Sequence, residues 1–147
     1  VESPGAFSTT VWVDQQFTTN INVTITEVIV RLADTSSDVG NVVVSIYSDD
    51  GSDKPSTELT TPVTVANSTF GTSATDVQFS LASTFAATAN TKYHIVVRCS
   101  ASGTANMYST TGGAYAGGTS SFSVNSGSTW SAPNASTDYK FQVWGCP

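Results

Sequence analysis

Charge is scarce in this sequence of 147 residues. Only 11% of them are Asp, Glu, Lys or Arg, whereas a typical soluble domain has about 25%. The five Lys and Arg residues are spread singly along the chain, and the net charge is −6. Without a basic patch, we expect binding neither to nucleic acid nor to anionic membranes. No hydrophobic run approaches the roughly 20 residues of a membrane-spanning helix, so we also expect no membrane insertion.

Cysteine and histidine are rarer still: the two cysteines are Cys99 and Cys146, and the one histidine is His94. An even number of cysteines in a Ser- and Thr-rich chain is typical of an oxidising compartment. We therefore predict a disulfide between Cys99 and Cys146, the alternative being two buried thiols. The chain begins at Val1 rather than Met, so we expect a processed segment located outside the cell, on its surface or on a virion.

Short strands with a period of two are abundant. Runs rich in Val, Ile, Thr, Phe and Tyr predict strands at 11–17, 24–32, 42–48, 59–65, 76–81, 93–99, 106–110, 120–124 and 139–144. The tracts TSSDVGN, DDGSDKPS, GGAYAGGTSS and NSGSTWSAPNAS between them predict loops. The Ala-rich part of FSLASTFAATANTKY is compatible with one helical turn. We predict an all-β fold, one antiparallel β-sandwich of jelly-roll type with eight or nine strands, covering residues 11–147.

Alternation also assigns the faces of these strands. Val13 and Phe17 of the first strand should point into the core, as should Ile95 and Val97 of the strand at 93–99. Residues predicted to face away from the core include Trp12, Asp14, Gln16, Tyr47, His94, Arg98, Gln142 and Trp144.

Six motifs follow one another in a familiar order: DQQFTT, VIVRLA, VVVSIYSDDGSDKPSTEL, FAATANTKYHIVV, GSTW and YKFQVWG. Together, from Asp14 to Gly145, they resemble the bacterial and phage β-sandwich domains called choice-of-anchor domain R. The sequence departs from that pattern at Ser56, where Gly is usual after Pro, and at His94, where Trp often stands. The resemblance implies a non-catalytic sandwich of secreted, surface-attached or virion proteins, sometimes beside sugar-active modules, and it fixes no ligand.

The sequence does not predict an enzyme. Local spacing places no carboxylate beside His94, which we expect to be an exposed or interface residue. No G-x-S-x-G nucleophile elbow is present, and neither cysteine resembles an activated nucleophile. A glycosidase needs two acids held across a sugar bond, usually on rigid strands. The acids here cluster in a turn instead, and Glu27 is placed to form a surface pair with Arg31.

The acidic turn in SIYSDDGSDKPSTEL has two interpretations. We predict no cofactor, with one alternative: Asp49, Asp50 and Asp53 lie close enough in sequence to supply two or three oxygen ligands to a structural calcium ion. Their spacing differs from that of a calcium-binding loop, however. Asp and Ser also start turns by accepting backbone hydrogen bonds, and Gly51 permits a positive φ. We favour a hairpin turn and keep calcium as the alternative.

Four aromatic residues are predicted off the core: Trp12, Tyr47, Trp130 and Trp144. Planar rings flanked by amides and hydroxyls are the usual means by which a β-sandwich stacks on sugars. Aromatic residues are also enriched at subunit interfaces. Both interpretations are open for each ring, so the partner is either another subunit or a glycan.

Residues 1–10 form a predicted N-terminal arm, VESPGAFSTT, with Phe7 as an anchor. Such an arm either lies on its own domain or adds to the sheet edge of a neighbour by β-augmentation. We therefore predict a structural and binding module of a surface assembly, such as a virion decoration, fibre, filament or adhesin subunit, with Phe7 and Trp12 as contacts. The alternative is a carbohydrate-binding module. Three sequons, at Asn22, Asn67 and Asn134, are potential glycosylation sites.

Overall fold

The computed structural model describes residues 1–35, 40–101, 103–112 and 115–147. Within these ranges there is no α-helix, hence none that is long and apolar enough to cross a membrane. One 3₁₀ turn covers Asn67–Thr69. The twelve strands are β1 (Glu2–Phe7), β2 (Trp12–Thr18), β3 (Val23–Asp34), β4 (Asn41–Asp49), β5 (Pro55–Glu58), β6 (Val63–Ala66), β7 (Thr75–Ala87), β8 (Lys92–Cys99), β9 (Ala105–Thr111), β10 (Ser120–Ser123), β11 (Thr137–Tyr139) and β12 (Phe141–Cys146). Parts of two predicted loops, TSSDVGN and GGAYAGGTSS, lie outside the described residues.

These strands form two antiparallel sheets packed on each other, so the predicted β-sandwich is confirmed. Sheet I consists of β1, β3, β7, β9, β11 and β12, and sheet II of β2, β4, β5, β6, β8 and β10. One apolar core lies between them. Val13, Phe17, Ile95 and Val97 all belong to that core and are at most 2% exposed. The predicted inward faces of β2 and β8 are therefore correct, and removal of these side chains from water drives the packing of the sheets.

The structure has more strands than the eight or nine predicted, because three short ones leave weak signals in the sequence. β1 contains Pro4 and Gly5, which are depleted in strands. β5 begins at Pro55 within a predicted loop, and β11 is three residues long. The Ala-rich piece considered as a helical turn belongs mostly to strand β7.

The predicted arm is an edge strand of the sandwich. β1 pairs antiparallel with β9, from Glu2 opposite Thr110 to Phe7 opposite Ala105. Phe7 is 1% exposed and packs in the core, so it offers no surface contact. Tyr139 lies directly over Gly5, where an added Cβ would come within 2.5 Å of the tyrosine oxygen.

Sheet I contains a fork between β3 and β9. The two strands pair only from Leu32 to Asp34, and the segment from Thr137 to Cys146 crosses the opening beyond. β11 pairs with β9, and β12 pairs with β3. At the crossing point Lys140 donates its amide N–H to the Tyr108 carbonyl (2.8 Å) and accepts from the Arg31 amide (3.2 Å).

The predicted disulfide is wrong. Cys99 and Cys146 are not bonded to each other; Cys99 is buried and Cys146 is exposed. The physical reason is their environment: Cys99 lies in the core between the sheets, opposite Val42, whereas Cys146 is exposed at the end of β12, opposite Thr24.

The three sequons differ in accessibility. Asn22 and Asn134 are exposed, whereas Asn67 is fully buried. Glycosylation requires a surface asparagine, so Asn67 is not an acceptor in the folded chain.

Candidate functional site

The acidic turn between β4 and β5 folds back onto the outer face of sheet II. Gln16 of β2 donates from Nε2 to Asp49 Oδ1 (3.2 Å) and to Asp53 Oδ1 (2.8 Å). Asp53 also pairs with the Lys92 ammonium at 2.5 Å. Asp50 accepts from the backbone amides of Ser52 and Lys54, which belong to its own turn. The turn is thereby fixed to β2 and β8.

These contacts also bear on the calcium alternative. Asp49 and Asp53 converge on the Gln16 amide, a protein donor, whereas Asp50 accepts from backbone amides of the turn, so the three carboxylates are not arranged as one set of calcium ligands. Across the described ranges, no group of three or more His, Cys, Asp and Glu side chains is placed to hold a metal ion.

His94 lies beneath this turn with both ring nitrogens on carboxylates. Nδ1 is 2.9 Å from Asp14 Oδ1, and Nε2 is 2.9 Å from Asp49 Oδ1. Ser121 Oγ donates to the other oxygen of Asp14 at 2.9 Å. The His94 and Asp14 side chains are fully buried, so the prediction that His94 is exposed or at an interface is wrong. Its predicted orientation, away from the core, places it under the acidic turn.

Charge explains why this buried cluster is stable. Burial alone would lower the pKa of His94, but the hydrogen bonds and negative charges of Asp14 and Asp49 outweigh it and raise that pKa. Burial raises the pKa of Asp14, and the contacts with His94 and Ser121 oppose that rise. The structure thus places an imidazolium between two carboxylates.

The same geometry argues against a nucleophile–histidine pair here. Ser121 contacts Asp14 and not the imidazole. Since both ring nitrogens lie 2.9 Å from carboxylate oxygens, neither faces a serine hydroxyl from which it could take a proton. The arrangement fits a structural role, joining β10, β2, β8 and the acidic turn.

Two of the predicted contact aromatics lie on this outer face of sheet II. Trp12 is half-buried, with the Arg98 guanidinium 4.7 Å from its ring centroid and Gly127 against its edge. Tyr47 is also half-buried, and burial followed by the charge of Glu58 raises its pKa. Both rings are already covered in part by the chain's own side chains.

Trp144 lies on the opposite side of the molecule, on the outer face of sheet I. Its neighbour Val143 packs against the core, so Gln142 and Trp144 point away from it. The Trp144 side chain is 55% exposed, and its Nε1–H donates to Gln142 Oε1 at 2.9 Å. Next to them on the same face, Gln78 donates to Glu27 at 2.6 Å. Because Trp12 and Trp144 lie on different sheets, the predicted aromatic residues do not form one site.

A cleft of about 660 Å³ opens beside β11 and β12, at the fork in sheet I. Four aromatic side chains contribute to its walls, namely Phe17, Tyr115, Tyr139 and Phe141. Gln142 also lines it. The residue that fixes the Trp144 ring therefore also borders the cleft, so the two features are continuous.

The two cations at this cleft, Arg31 and Lys140, are both paired with carboxylates. Arg31 binds Glu2 at 3.2 Å and Asp76 at 3.1 Å, and Lys140 also pairs with Glu2. Lys140, and next Arg31, lower the pKa of Glu2. The predicted pair of Glu27 and Arg31 is absent: Arg31 turns to Glu2 and Asp76, and Glu27 accepts from Gln78. The cations of the cleft are thus neutralised, and Asp138 adds a buried carboxyl group that accepts from the Tyr115 amide.

Sequence reasoning found Trp144 but missed two clusters, the lining of the cleft and the buried pair on sheet II. Phe17, Arg31 and Tyr139 come from β2, β3 and β11, and they meet because sheet II packs on sheet I where β11 and β12 cross its fork. The pair of Asp14 and His94 depends likewise on β2 and β8 being neighbours. Trp130, in the loop after β10, is half-buried.

No protein-family model matches this chain, and neither does the sequence of any curated protein. The likeness to choice-of-anchor domain R is therefore a resemblance of motifs.

Proposed function

We propose that the chain is a non-catalytic binding module of an extracellular, cell-surface or virion assembly, and that it binds a saccharide on the outer face of sheet I. The observation that carries this proposal is the Trp144 ring. It is 55% exposed on a strand within a sheet, and its indole N–H is held by Gln142. The other predicted contact residues, Phe7, Trp12, Tyr47 and Trp130, are buried or half-buried.

The chemistry around Trp144 suits a sugar. The face of an aromatic ring carries partial negative charge and attracts the polarised C–H groups on one side of a pyranose. Sugar hydroxyls then need donors and acceptors beside the ring. Gln142, Gln78 and Glu27 supply amide and carboxylate groups on the same face.

The cleft extends this surface and favours a neutral ligand. Its aromatic walls suit a second ring of a chain-like ligand, as pockets for small ligands are mostly apolar with a few polar groups. Arg31 and Lys140 are already neutralised by Glu2 and Asp76. A uronic or sialic acid would have to displace those carboxylates, so we expect neutral oligosaccharides to bind better.

The second candidate function is that of a structural subunit joined to its neighbours by protein–protein contacts. It is supported by β1, a strand at the edge of sheet I that pairs only with β9 among the described strands. Because only 11% of the residues are charged, few charged side chains would have to be desolvated when identical copies pack together. The two functions are compatible, because the Trp144 face and the β1 edge are different surfaces.

A glycan array combined with size-exclusion chromatography separates these functions. A saccharide-binding module gives reproducible binding to neutral oligosaccharides as a monomer. Binding to acidic glycans alone would contradict the predicted ligand class. An absence of any glycan binding, together with a concentration-dependent oligomer, would favour the structural subunit.

A further inference from the structure

Strand β1 is held in the sandwich only through parts of the chain distant in sequence. Its six residues pair with β9, about 100 positions further on, and not with β2, which belongs to sheet II. The link between β1 and β2 is Ser8–Val11, a short turn closed by a hydrogen bond from the Ser8 amide to the Val11 carbonyl at 2.8 Å.

The position that β1 occupies is specific for its sequence. Phe7 fills a place in the core, and Gly5 is the residue over which Tyr139 packs. At the other end of the strand, Glu2 pairs with both Arg31 and Lys140. Shape and charge therefore both select this strand for this edge of sheet I.

We propose that β1 exchanges between copies, so that β1 of one copy occupies the edge of β9 in a second copy. The contacts of β1 with β9, the core, Tyr139, Arg31 and Lys140 are the same in the closed and exchanged forms, whereas Ser8–Val11 changes conformation and loses the hydrogen bond that closes its turn. Extended, those four residues span about 13 Å. A single copy keeps its own strand in dilute solution, where the effective concentration of a tethered strand is high, and exchange is favoured as the copies become concentrated in an assembly.

Exchange would make the cleft a shared site. Arg31 and Lys140 line the cleft, and Glu2 neutralises both. In the exchanged pair Glu2 comes from the second copy, so assembly would complete the charge balance of the cleft. The exchange itself does not depend on saccharide binding and is tested without any ligand.

Cysteine pairs placed across β1 and β9 test this directly. Ser3 and Ser109 are opposite each other, and Ser109 Oγ donates to the Ser3 carbonyl at 3.1 Å. One full-length variant carries Ser3→Cys and another carries Ser109→Cys, both with Cys146→Ser to remove the exposed native thiol. The two are mixed at high concentration, cycled through partial unfolding, and oxidised. We expect a covalent heterodimer whose yield rises with protein concentration.

A matched pair within sheet I controls for collision. Ile29 of β3 and Gln78 of β7 are also opposite each other, but neither strand is terminal, so they pair only within one copy. The mixture of Ile29→Cys and Gln78→Cys should give several-fold less heterodimer. Equal yields in the two mixtures would overturn the proposal. The proposal would also be overturned if a Ser3→Cys/Ser109→Cys double variant formed its disulfide within one chain while the mixture gave no heterodimer. Failure of the double variant to form any disulfide would overturn it as well.

Discussion

Nδ1 of His94 lies 2.9 Å from Oδ1 of Asp14, and both side chains are fully buried on the outer face of sheet II. Nε2 of the same ring faces Asp49. A neutral imidazole has one N–H and can donate to only one of these carboxylates, so the geometry calls for the charged ring. A buried cation thus connects the centre of sheet II to the acidic turn.

Replacing this histidine should destabilise the fold severely. His94→Gln removes the cation and leaves Asp14 buried without its partner, which typically costs about 3–5 kcal/mol. Urea unfolding at neutral pH measures the change in the free energy of unfolding. A loss below about 1 kcal/mol would contradict the ion-pair interpretation. As a control, Asp14→Asn/His94→Gln should lose less than the sum of the two single variants, because the pair acts as a unit.

The free energy of unfolding should fall as the pH rises above 6.5. The pKa of His94 is raised in the folded chain, because Asp14 and Asp49 outweigh the effect of burial. A raised pKa contributes stability that is complete below the ordinary value of 6.5 and disappears as the pH passes the folded value. The pKa of buried Asp14 is also raised, so its contribution to the free energy of unfolding likewise decreases as the pH rises. Denaturation between pH 6 and about 9 should show this slope in the wild type and a flatter profile in His94→Gln.

Two neighbouring aspartates should differ in their effect on this titration. Asp49→Asn removes the charge facing Nε2 and should lower the pKa of His94, whereas Asp50 accepts from backbone amides of its own turn, so Asp50→Asn should leave that pKa nearly unchanged. His94 is the only histidine, so its ring protons give one traceable NMR signal. Equal shifts of the His94 pKa in the two variants would contradict the contact between Asp49 and the imidazole.

The thiols should react in two stages. Cys146 is exposed and Cys99 is buried, and the two are not bonded. A thiol reagent should therefore modify one cysteine per native chain and a second only after unfolding, since reactivity requires access. A native chain with no reactive thiol, and with a mass lower by two hydrogen atoms than that of the reduced chain, would instead show that the disulfide forms.

Local sequence patterns predicted the core positions of the strands, but they did not predict contacts that depend on which strands are neighbours. Alternation alone identified Val13, Phe17, Ile95 and Val97 as core residues, because a half-buried strand repeats every two residues. Alternation also correctly predicted that His94 points away from the core. Its burial depends on the acidic turn folding over the ring, and no local signal encodes that contact.

Local propensity likewise fails to predict the N-terminal strand. Pro4 and Gly5 argue against a strand on propensity, and β1 forms because β9 and the core position of Phe7 accept it. The cleft depends likewise on Lys140 lying between β9 and β3. Strand order was the missing information in each case.

The central claim is that the Trp144 ring binds saccharide, and a calorimetric titration of Trp144→Ala tests it most directly. Trp130→Ala is the matched control, since it removes an indole from the half-buried loop after β10. A nucleic-acid base stacked on an aromatic side chain contributes about 1–3 kcal/mol, and we expect a comparable contribution from a sugar face on Trp144. With a neutral oligosaccharide that binds the wild type, Trp144→Ala should weaken binding by about tenfold or more, and Trp130→Ala should bind like the wild type. Unchanged affinity in Trp144→Ala, with its fold intact, would contradict the account.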